Sequence, residues 1–159
     1  MTAEPQLAVV AEQPADPAPL VGILMGSESD MDTMLAAATE LDKHGISSEV
    51  NVISAHRQPD QVAEYARSAR GRGLRVLIAG AGLSAALPGV VAAHTDLPVI
   101  GVPLSSRLSA LGGLDAILSV LQMPPGVPVA GVGLDNARNA GALAARIIES
   151  GGGRPLTVA

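Results

Sequence analysis

The sequence predicts an α/β protein, a three-layer αβα sandwich with a five-stranded parallel sheet in the middle. Short, nearly continuous apolar runs alternate with segments of helical periodicity along the chain. Such runs are typical of parallel strands that are covered by helices on both faces. The 159 residues, 48% of them hydrophobic, are enough for one domain of this kind.

Glycine and proline mark the first two strand–helix units. Residues 20–26 are an apolar run that predicts a strand, and the helical pattern that follows ends at Gly45. Residues 47–54 predict the second strand. The second helix is predicted over residues 59–73, with Pro59 in its first turn.

The other three units repeat this order. Apolar runs predict strands over residues 75–80, 97–104 and 127–134. The helical patterns that follow them cover residues 86–94, 111–123 and 139–150. Five parallel strands joined by short right-handed crossovers indicate a flavodoxin-like sheet.

Composition argues against several classes of function. The net charge is −5 and there is no run of basic residues, which argues against nucleic-acid binding. The uncharged stretch 76–93 contains glycine and proline, so it favours a buried strand and helix start over a membrane span. The absence of cysteine excludes disulfides and is compatible with the cytoplasm. We expect a cytoplasmic protein that binds a small molecule.

The two ends of the sequence differ from the middle. Residues 1–19 contain three acids, four prolines and no basic residue, which predicts a flexible leader and not a secretory signal. We expect the folded domain over residues 20–150 and a short tail over 151–159.

A polar turn, "GSESD", follows the first predicted strand, at the edge where parallel sheets bind ligands. It contains Gly26, Ser27, Ser29 and Asp30. Backbone N–H groups and hydroxyls at a helix start attract an anion, and an aspartate accepts hydrogen bonds from ribose hydroxyls. The alternative is that Ser29 or Asp30 simply caps the helix.

"SAHR" follows the second strand and offers two functional side chains. Arg57 is a fixed cation for a phosphate or carboxylate, and His56 is of the residue type that exchanges protons near neutral pH. The alternative is that both point to solvent from the first turn of a helix. His44 and His94 end predicted helices and are interpreted as structural. No histidines and carboxylates have metal-ligand spacing, so we expect no metal.

The third site segment, "GAGLSAALPG", consists mostly of residues with small side chains, so any contact that it makes with a ligand must come mainly from its backbone. Gly80 and Gly82 permit a ligand to approach closely, and the N–H groups of residues 83–86 would face an anionic or flat group. The alternative is a tight turn with small residues for packing.

Six segments together, in this order and spacing, resemble one family. They are "MGSESD", "SAHRQPD", "IAGAG" with "ALPG", "VIGVP", "LQMPPGVPV" and "NAGALAARI". From Val21 to Glu149 the chain resembles the carboxyaminoimidazole ribonucleotide mutase family of purine biosynthesis (PurE). That family rearranges an N-carboxylated aminoimidazole ribonucleotide into its ring-carbon carboxylate without metal, biotin or ATP. The resemblance implies an enzyme without a cofactor that acts on a ribonucleotide and CO2, as a homo-octamer.

The resemblance also implies a role for each segment. Ser27, Ser29, Asp30 and Arg57 would hold the ribose phosphate, and His56 would move the proton. Ser54, the Gly80–Gly82 loop and Leu87–Pro88 would enclose the CO2 that is released midway. The catalytic pair would be His56 and Ser54. The implied substrate-binding residues are Gly26, Ser27, Ser29, Asp30, Ala55, Arg57, Gly80, Ala81, Gly82, Leu83, Ser84, Ala86, Leu87 and Pro88.

The glycine loop departs from the mutase pattern GAGGAAHLPG. Ala86 stands in place of the histidine of that pattern, and Leu83 and Ser84 replace glycine and alanine. The loop is also similar to the sequence GRSNALSG, which is found in a class of enzymes that carboxylates aminoimidazole ribonucleotide directly with CO2. It further resembles loops of the pyridinium dinucleotide carboxylases of nickel-pincer cofactor synthesis. The alternatives are therefore a direct carboxylase, a paralogue that carboxylates or decarboxylates another heteroaromatic nucleotide, and an inactive nucleotide-binding subunit. "SAHR" and "QMPPGVPV" favour the mutase class.

Overall fold

The computed structural model describes residues 18–151, so nearly all of the predicted leader (1–19) and tail (151–159) lies outside the described residues. The strands are β1 Val21–Met25, β2 Ser48–Val52, β3 Val76–Gly82, β4 Val99–Leu104 and β5 Ala130–Gly131. The helices are α1 Met31–Lys43, α2 Pro59–Ala69, α3 Ala86–Ala93, α4 Leu114–Leu121 and α5 Ala137–Glu149, and a 3₁₀ turn, Glu28–Asp30, precedes α1.

The five strands form one parallel sheet in the order β2-β1-β3-β4-β5. Ile23 in the middle of β1 pairs with Val50 on β2 and with Ile78 on β3. This is the flavodoxin-like order, so the predicted fold class is confirmed. The chain changes direction across the sheet at β1, between β2 and β3. Ligands of such folds bind at this change of direction, at the carboxyl edge of the strands.

Helices cover both faces of the sheet and create two cores. Alternate residues of β1 point to opposite faces, with Ile23 packed under α1 and α5 and Leu24 packed under α2 and α3. The α1–α5 contact is close, because a Cβ on Gly141 would lie 2.6 Å from the carbonyl oxygen of Ala37. The small side chains of this sequence therefore suit tight helix packing, and the loops at the carboxyl edge are left for the site. None of the helices described between residues 18 and 151 is long and apolar enough to cross a membrane.

Some element boundaries differ from the prediction. β5 contains two residues, far fewer than the predicted 127–134, because it is an edge strand and Pro128 has no N–H to donate to the sheet. α2 ends at Ala69, four residues before the predicted end, and Gly73 follows with a φ of +97°. α5 begins at Ala137, two residues early, because Asn136 caps it by accepting a hydrogen bond from Asn139 N–H at 3.1 Å.

A polar cluster fixes α2 against the edge strand β2. The hydroxyl of Tyr65 on α2 donates a hydrogen bond of 2.6 Å to Glu49 of β2. Arg72, just beyond α2, lies 2.8 Å from the same carboxylate and places its guanidinium 4.7 Å from the Tyr65 ring centre. The turn between β2 and α2 is therefore held by contacts on both of its flanking elements.

Candidate active site

One open cavity of about 1180 Å³ lies at the carboxyl edge of β1, β2, β3 and β4. Loops after all four strands contribute to its wall. The lining residues are Gly26, Ser27, Ser29, Asp30, Ser54, Ala55, His56, Arg57, Ala81, Gly82, Leu83, Ser84, Ala86, Leu87, Ser105, Ser106, Arg107 and Leu108. The three segments selected from the sequence therefore meet at one place.

The turn after β1 presents hydroxyls and backbone N–H groups to the cavity. Ser27 caps the 3₁₀ turn, and its Oγ accepts a hydrogen bond from Ser29 N–H at 3.3 Å. The two serine Oγ atoms lie 2.9 Å apart and share a hydrogen bond. Of the two caps suggested from the sequence, Asp30 occupies the N-cap position of α1, while Ser27 caps the 3₁₀ turn. A helix start with two hydroxyls is suited to an anion.

Asp30 precedes α1 and makes no side-chain capping bond to it. Burial raises the pKa of its carboxyl above the ordinary value, a hydrogen bond from Ser29 lowers it, and the negative charge of Asp135 raises it. A half-buried carboxylate in a cavity is an acceptor for hydroxyl groups such as those of a ribose.

The turn after β2 carries His56 and Arg57. Both side chains are exposed, and neither makes a hydrogen bond or ion pair with another residue of the described chain. Ser54, which begins the turn, is the one buried polar side chain within residues 18–151 and is 8% exposed. His56 and Arg57 line the cavity, so they are available to a ligand and not to solvent alone.

The glycine-rich loop after β3 approaches the loop after β4 closely. A Cβ on Gly82 would lie 3.1 Å from the carbonyl oxygen of Leu104 and 3.7 Å from Cβ of Ser106. The next residue, Leu83, has a φ of +55°, a left-handed conformation that favours glycine. Leu83 thus occupies the position at which the mutase pattern has glycine.

Sixteen residues were assigned to the site from the sequence, and the cavity wall contains all of them except Gly80 and Pro88. Gly80 lies under Met34, whose sulfur would overlap a Cβ added to Gly80, so Gly80 belongs to the core. Pro88 is buried in α3 and packs toward Gly101 of β4. The sulfur contact and the burial place these two residues behind the loop that they support.

The sequence assignment missed the loop after β4. Ser105, Ser106, Arg107 and Leu108 line the cavity. The signal for this loop was its position, because it follows a buried strand at the same edge as the other site segments. Its residue pattern alone carries no recognisable motif.

The remaining histidines lie outside this cavity wall. His44 Nδ1 is 3.0 Å from a carboxylate oxygen of Glu149 on α5, and His94 Nδ1–H donates to the carbonyl oxygen of Val90 at 2.9 Å. Within residues 18–151 no three histidine, aspartate or glutamate side chains come together as a metal site would require. The cavity combines one histidine, two arginines, hydroxyls and a glycine-rich wall, an arrangement that suits an anionic ligand and a proton transfer.

Comparison with known proteins agrees with this geometry. Residues 20–152 match the family described as AIR carboxylase. The chain is 55% identical over 130 residues to the N5-carboxyaminoimidazole ribonucleotide mutase of Pyrococcus horikoshii, covering 82% of this chain and 72% of that protein. It is 55% identical over 134 residues to the mutase of Bacillus subtilis, covering 83% and 82%. Among solved structures, that of Treponema denticola PurE superposes with a TM-score of 0.74 at 36% identity, covering 84% of this chain and 82% of the other.

Proposed function

Because the chain belongs to the AIR carboxylase family, we propose that it is the enzyme of purine biosynthesis that converts N5-carboxyaminoimidazole ribonucleotide to 4-carboxy-5-aminoimidazole ribonucleotide. One observation carries the proposal. His56 lies in a single cavity with the hydroxyl-bearing turn after β1 and a glycine-rich loop, in a chain 55% identical to a named mutase. We place the protein in the cytoplasm, in keeping with its cysteine-free sequence.

The reaction moves a carboxyl group from nitrogen to carbon. The carbamate N–C bond breaks, CO2 leaves, and the amine nitrogen gains a proton. The electron-rich ring carbon then forms a C–C bond to the CO2, and the hydrogen on that carbon leaves as a proton. One group that gives the first proton and takes the second balances the reaction. A histidine suits this role because it donates and accepts protons near neutral pH, and His56 is the histidine of the cavity wall.

CO2 must stay beside the ring between the two steps. The glycine-rich loop supports this because its wall is made of backbone and small or apolar side chains, including Gly82, Ala86 and Leu87. Confinement raises the effective concentration of CO2 at the ring carbon, and exclusion of water limits its loss as bicarbonate. Ser54, which is buried at the start of the His56 turn, completes the proposed enclosure.

The ribose phosphate is assigned to the turn after β1 together with Arg57. Ser27 and Ser29 offer hydroxyls at a helix start, and Arg57 offers a guanidinium without an ion-pair partner among the described residues. Asp30, half-buried in the same cavity wall, would accept hydrogen bonds from ribose hydroxyls.

We infer that copies of this chain associate as a homo-oligomer, with an octamer expected from the resemblance. Support comes from a series of exposed leucines on and before α4: Leu108, Leu111, Leu114, Leu118 and Leu121. Exposed apolar groups gathered on one helix are typical of contact surfaces. Light scattering of the purified protein tests this inference, and a monomer at assay concentrations would refute it.

Assays of the purified protein with both aminoimidazole substrates, with and without bicarbonate, test the reaction. We expect turnover of the N5-carboxylated substrate that does not depend on added bicarbonate. Turnover of uncarboxylated aminoimidazole ribonucleotide alone, dependent on bicarbonate, would instead identify a direct carboxylase, an outcome that the divergent residues Leu83 and Ala86 would explain. No turnover of either substrate would overturn the proposed function.

A further inference from the structure

Arg107 is a second cation in the cavity, in the loop after β4. Its side chain is exposed, and its guanidinium makes no hydrogen bond or ion pair with another residue between 18 and 151. By contrast, Arg70, Arg72 and Arg138 each pair with a carboxylate on the surface. Arg107 therefore has its full charge available to a ligand.

The backbone on both sides of Arg107 is fixed by hydrogen bonds. Ser105 N–H donates to a carboxylate oxygen of Asp135 at 2.8 Å. Leu108 N–H donates to Ser106 Oγ at 3.1 Å, and Ser109 N–H donates to the carbonyl oxygen of Ser106 at 3.1 Å. A fixed backbone reduces the conformational entropy that the loop loses when Arg107 binds a ligand.

Arg107 and Arg57 enter the cavity from opposite sides. Arg57 follows β2 and Arg107 follows β4, and β1 and β3 lie between those strands. At the usual spacing of parallel strands the two strand axes are about 14 Å apart. Arg57 follows β2, which pairs with β1, so it lies on the side of the turn after β1. Arg107 lies on the side of the glycine-rich loop, since Ser106 is in contact range of Gly82. The two cations thus mark two separate ends of the cavity.

The substrate of the proposed reaction also has two anionic ends. One is the phosphate on the ribose, and the other is the carboxyl group, carried first on nitrogen and then on the ring carbon. With its phosphate at the turn after β1 and Arg57, the substrate of the proposed function would extend over β3 toward the loop after β4. We propose that Arg107 is a substrate-binding residue that recognises this carboxylate, and the inference rests on the proposed function.

An arginine that binds the carboxylate of both substrate and product contributes mainly to affinity. The guanidinium holds the carboxylate before and after the transfer, so its removal raises KM more than it lowers kcat. The effect is absent from ligands without the carboxyl group. This difference separates carboxylate recognition from a general effect on the loop.

Calorimetric titration of two ligands tests the inference. The ligands are 4-carboxy-5-aminoimidazole ribonucleotide and aminoimidazole ribonucleotide, which lacks the carboxyl group. Arg107→Met removes the charge and keeps most of the length of the side chain. It should weaken the affinity for the carboxylated ligand about 10- to 100-fold. It should leave the uncarboxylated ligand unchanged. Arg107→Lys should recover part of the loss because it restores the charge without the guanidinium fork.

Arg75→Met is the matched control. Arg75 is exposed at the amino end of β3, opposite the cavity, so both ligands should bind this variant as they bind the wild type. If Arg107→Met weakens the binding of both ligands equally, the inference is overturned and Arg107 is assigned to the phosphate or ribose. If the variant binds both ligands as tightly as the wild type, Arg107 is excluded from the binding site. A wild-type protein that binds neither ligand would overturn the proposed function itself. Thermal unfolding of each variant verifies that the fold is retained.

Discussion

Gln58 closes the turn that carries His56 by bonding to both backbone groups of Ser54. Its N–H donates to the carbonyl oxygen of Ser54 at 2.8 Å, and its side-chain Oε1 accepts from Ser54 N–H at 3.3 Å. His56 and Arg57 lie between these two residues. The position of the proposed acid–base group therefore depends on a side chain that is not part of the cavity wall.

Gln58→Ala should lower kcat/KM about 3- to 10-fold, because it removes the acceptor for Ser54 N–H while the backbone bond remains. Steady-state kinetics over a range of pH values measure the loss. Gln61→Ala is the control, since Gln61 Oε1 accepts a hydrogen bond of 3.0 Å from the Gln58 side-chain Nε2 and leaves the acceptor for Ser54 N–H in place. If both variants keep wild-type kinetics, Gln58 does not position the turn.

Leu83 carries conformational strain that glycine would relieve. Its φ of +55° is costly for a leucine, and its side chain is 38% exposed, close to the 40% of Leu35 within α1. Both changes to glycine therefore lose a similar amount of buried side chain, but glycine relieves about 1 kcal/mol of backbone strain at Leu83 and costs about 1 kcal/mol in the helix at Leu35. In denaturant unfolding, Leu83→Gly should be about 2 kcal/mol less destabilising than Leu35→Gly. A Leu83→Gly variant as destabilised as Leu35→Gly would show that the left-handed turn is not strained.

The ionised carboxyl group of Asp30 should lower the free energy of unfolding at neutral pH. Burial raises the pKa of its carboxyl, so the folded state holds the proton more tightly than the unfolded state. The folded state therefore loses relative stability as the pH rises from about 4, the ordinary pKa of aspartate, through the raised pKa. Asp30→Asn should have a higher unfolding temperature than the wild type at pH 7, and the difference should shrink toward pH 4.

The control for this change is Asp32→Asn, at an exposed position in the first turn of α1. A negative charge there favours the helix start, so its removal should not raise the unfolding temperature. A lower unfolding temperature of Asp30→Asn at pH 7 would contradict the argument from burial.

The sequence predicted the sheet well because its three central strands, β1, β3 and β4, are buried on both faces. The apolar run at Val21–Met25 needs no tertiary information to be recognised. β5 was predicted too long, since an exposed edge strand beside Pro128 pairs only where its neighbour β4 reaches it. Helix ends such as Asn136 depend on a side-chain cap that periodicity does not show.

The sequence identified site residues where a reactive or polar residue type directly follows a predicted strand, as at Ser27 and His56. Arg107 was missed because an arginine in a surface loop has no pattern of its own, and its role depends on which strand it follows. Gly80 was assigned to the site as part of a glycine motif, but the packing of Met34 against it becomes visible only in three dimensions.

The most direct measurement is turnover of N5-carboxyaminoimidazole ribonucleotide by His56→Asn, together with ligand binding by the same variant. The account predicts a loss in kcat of at least about 100-fold with ribonucleotide binding retained, because the variant lacks the proton carrier. His94→Asn should keep wild-type turnover, since His94 lies outside the cavity wall and bonds to Val90. Turnover by His56→Asn at the wild-type rate would contradict the account.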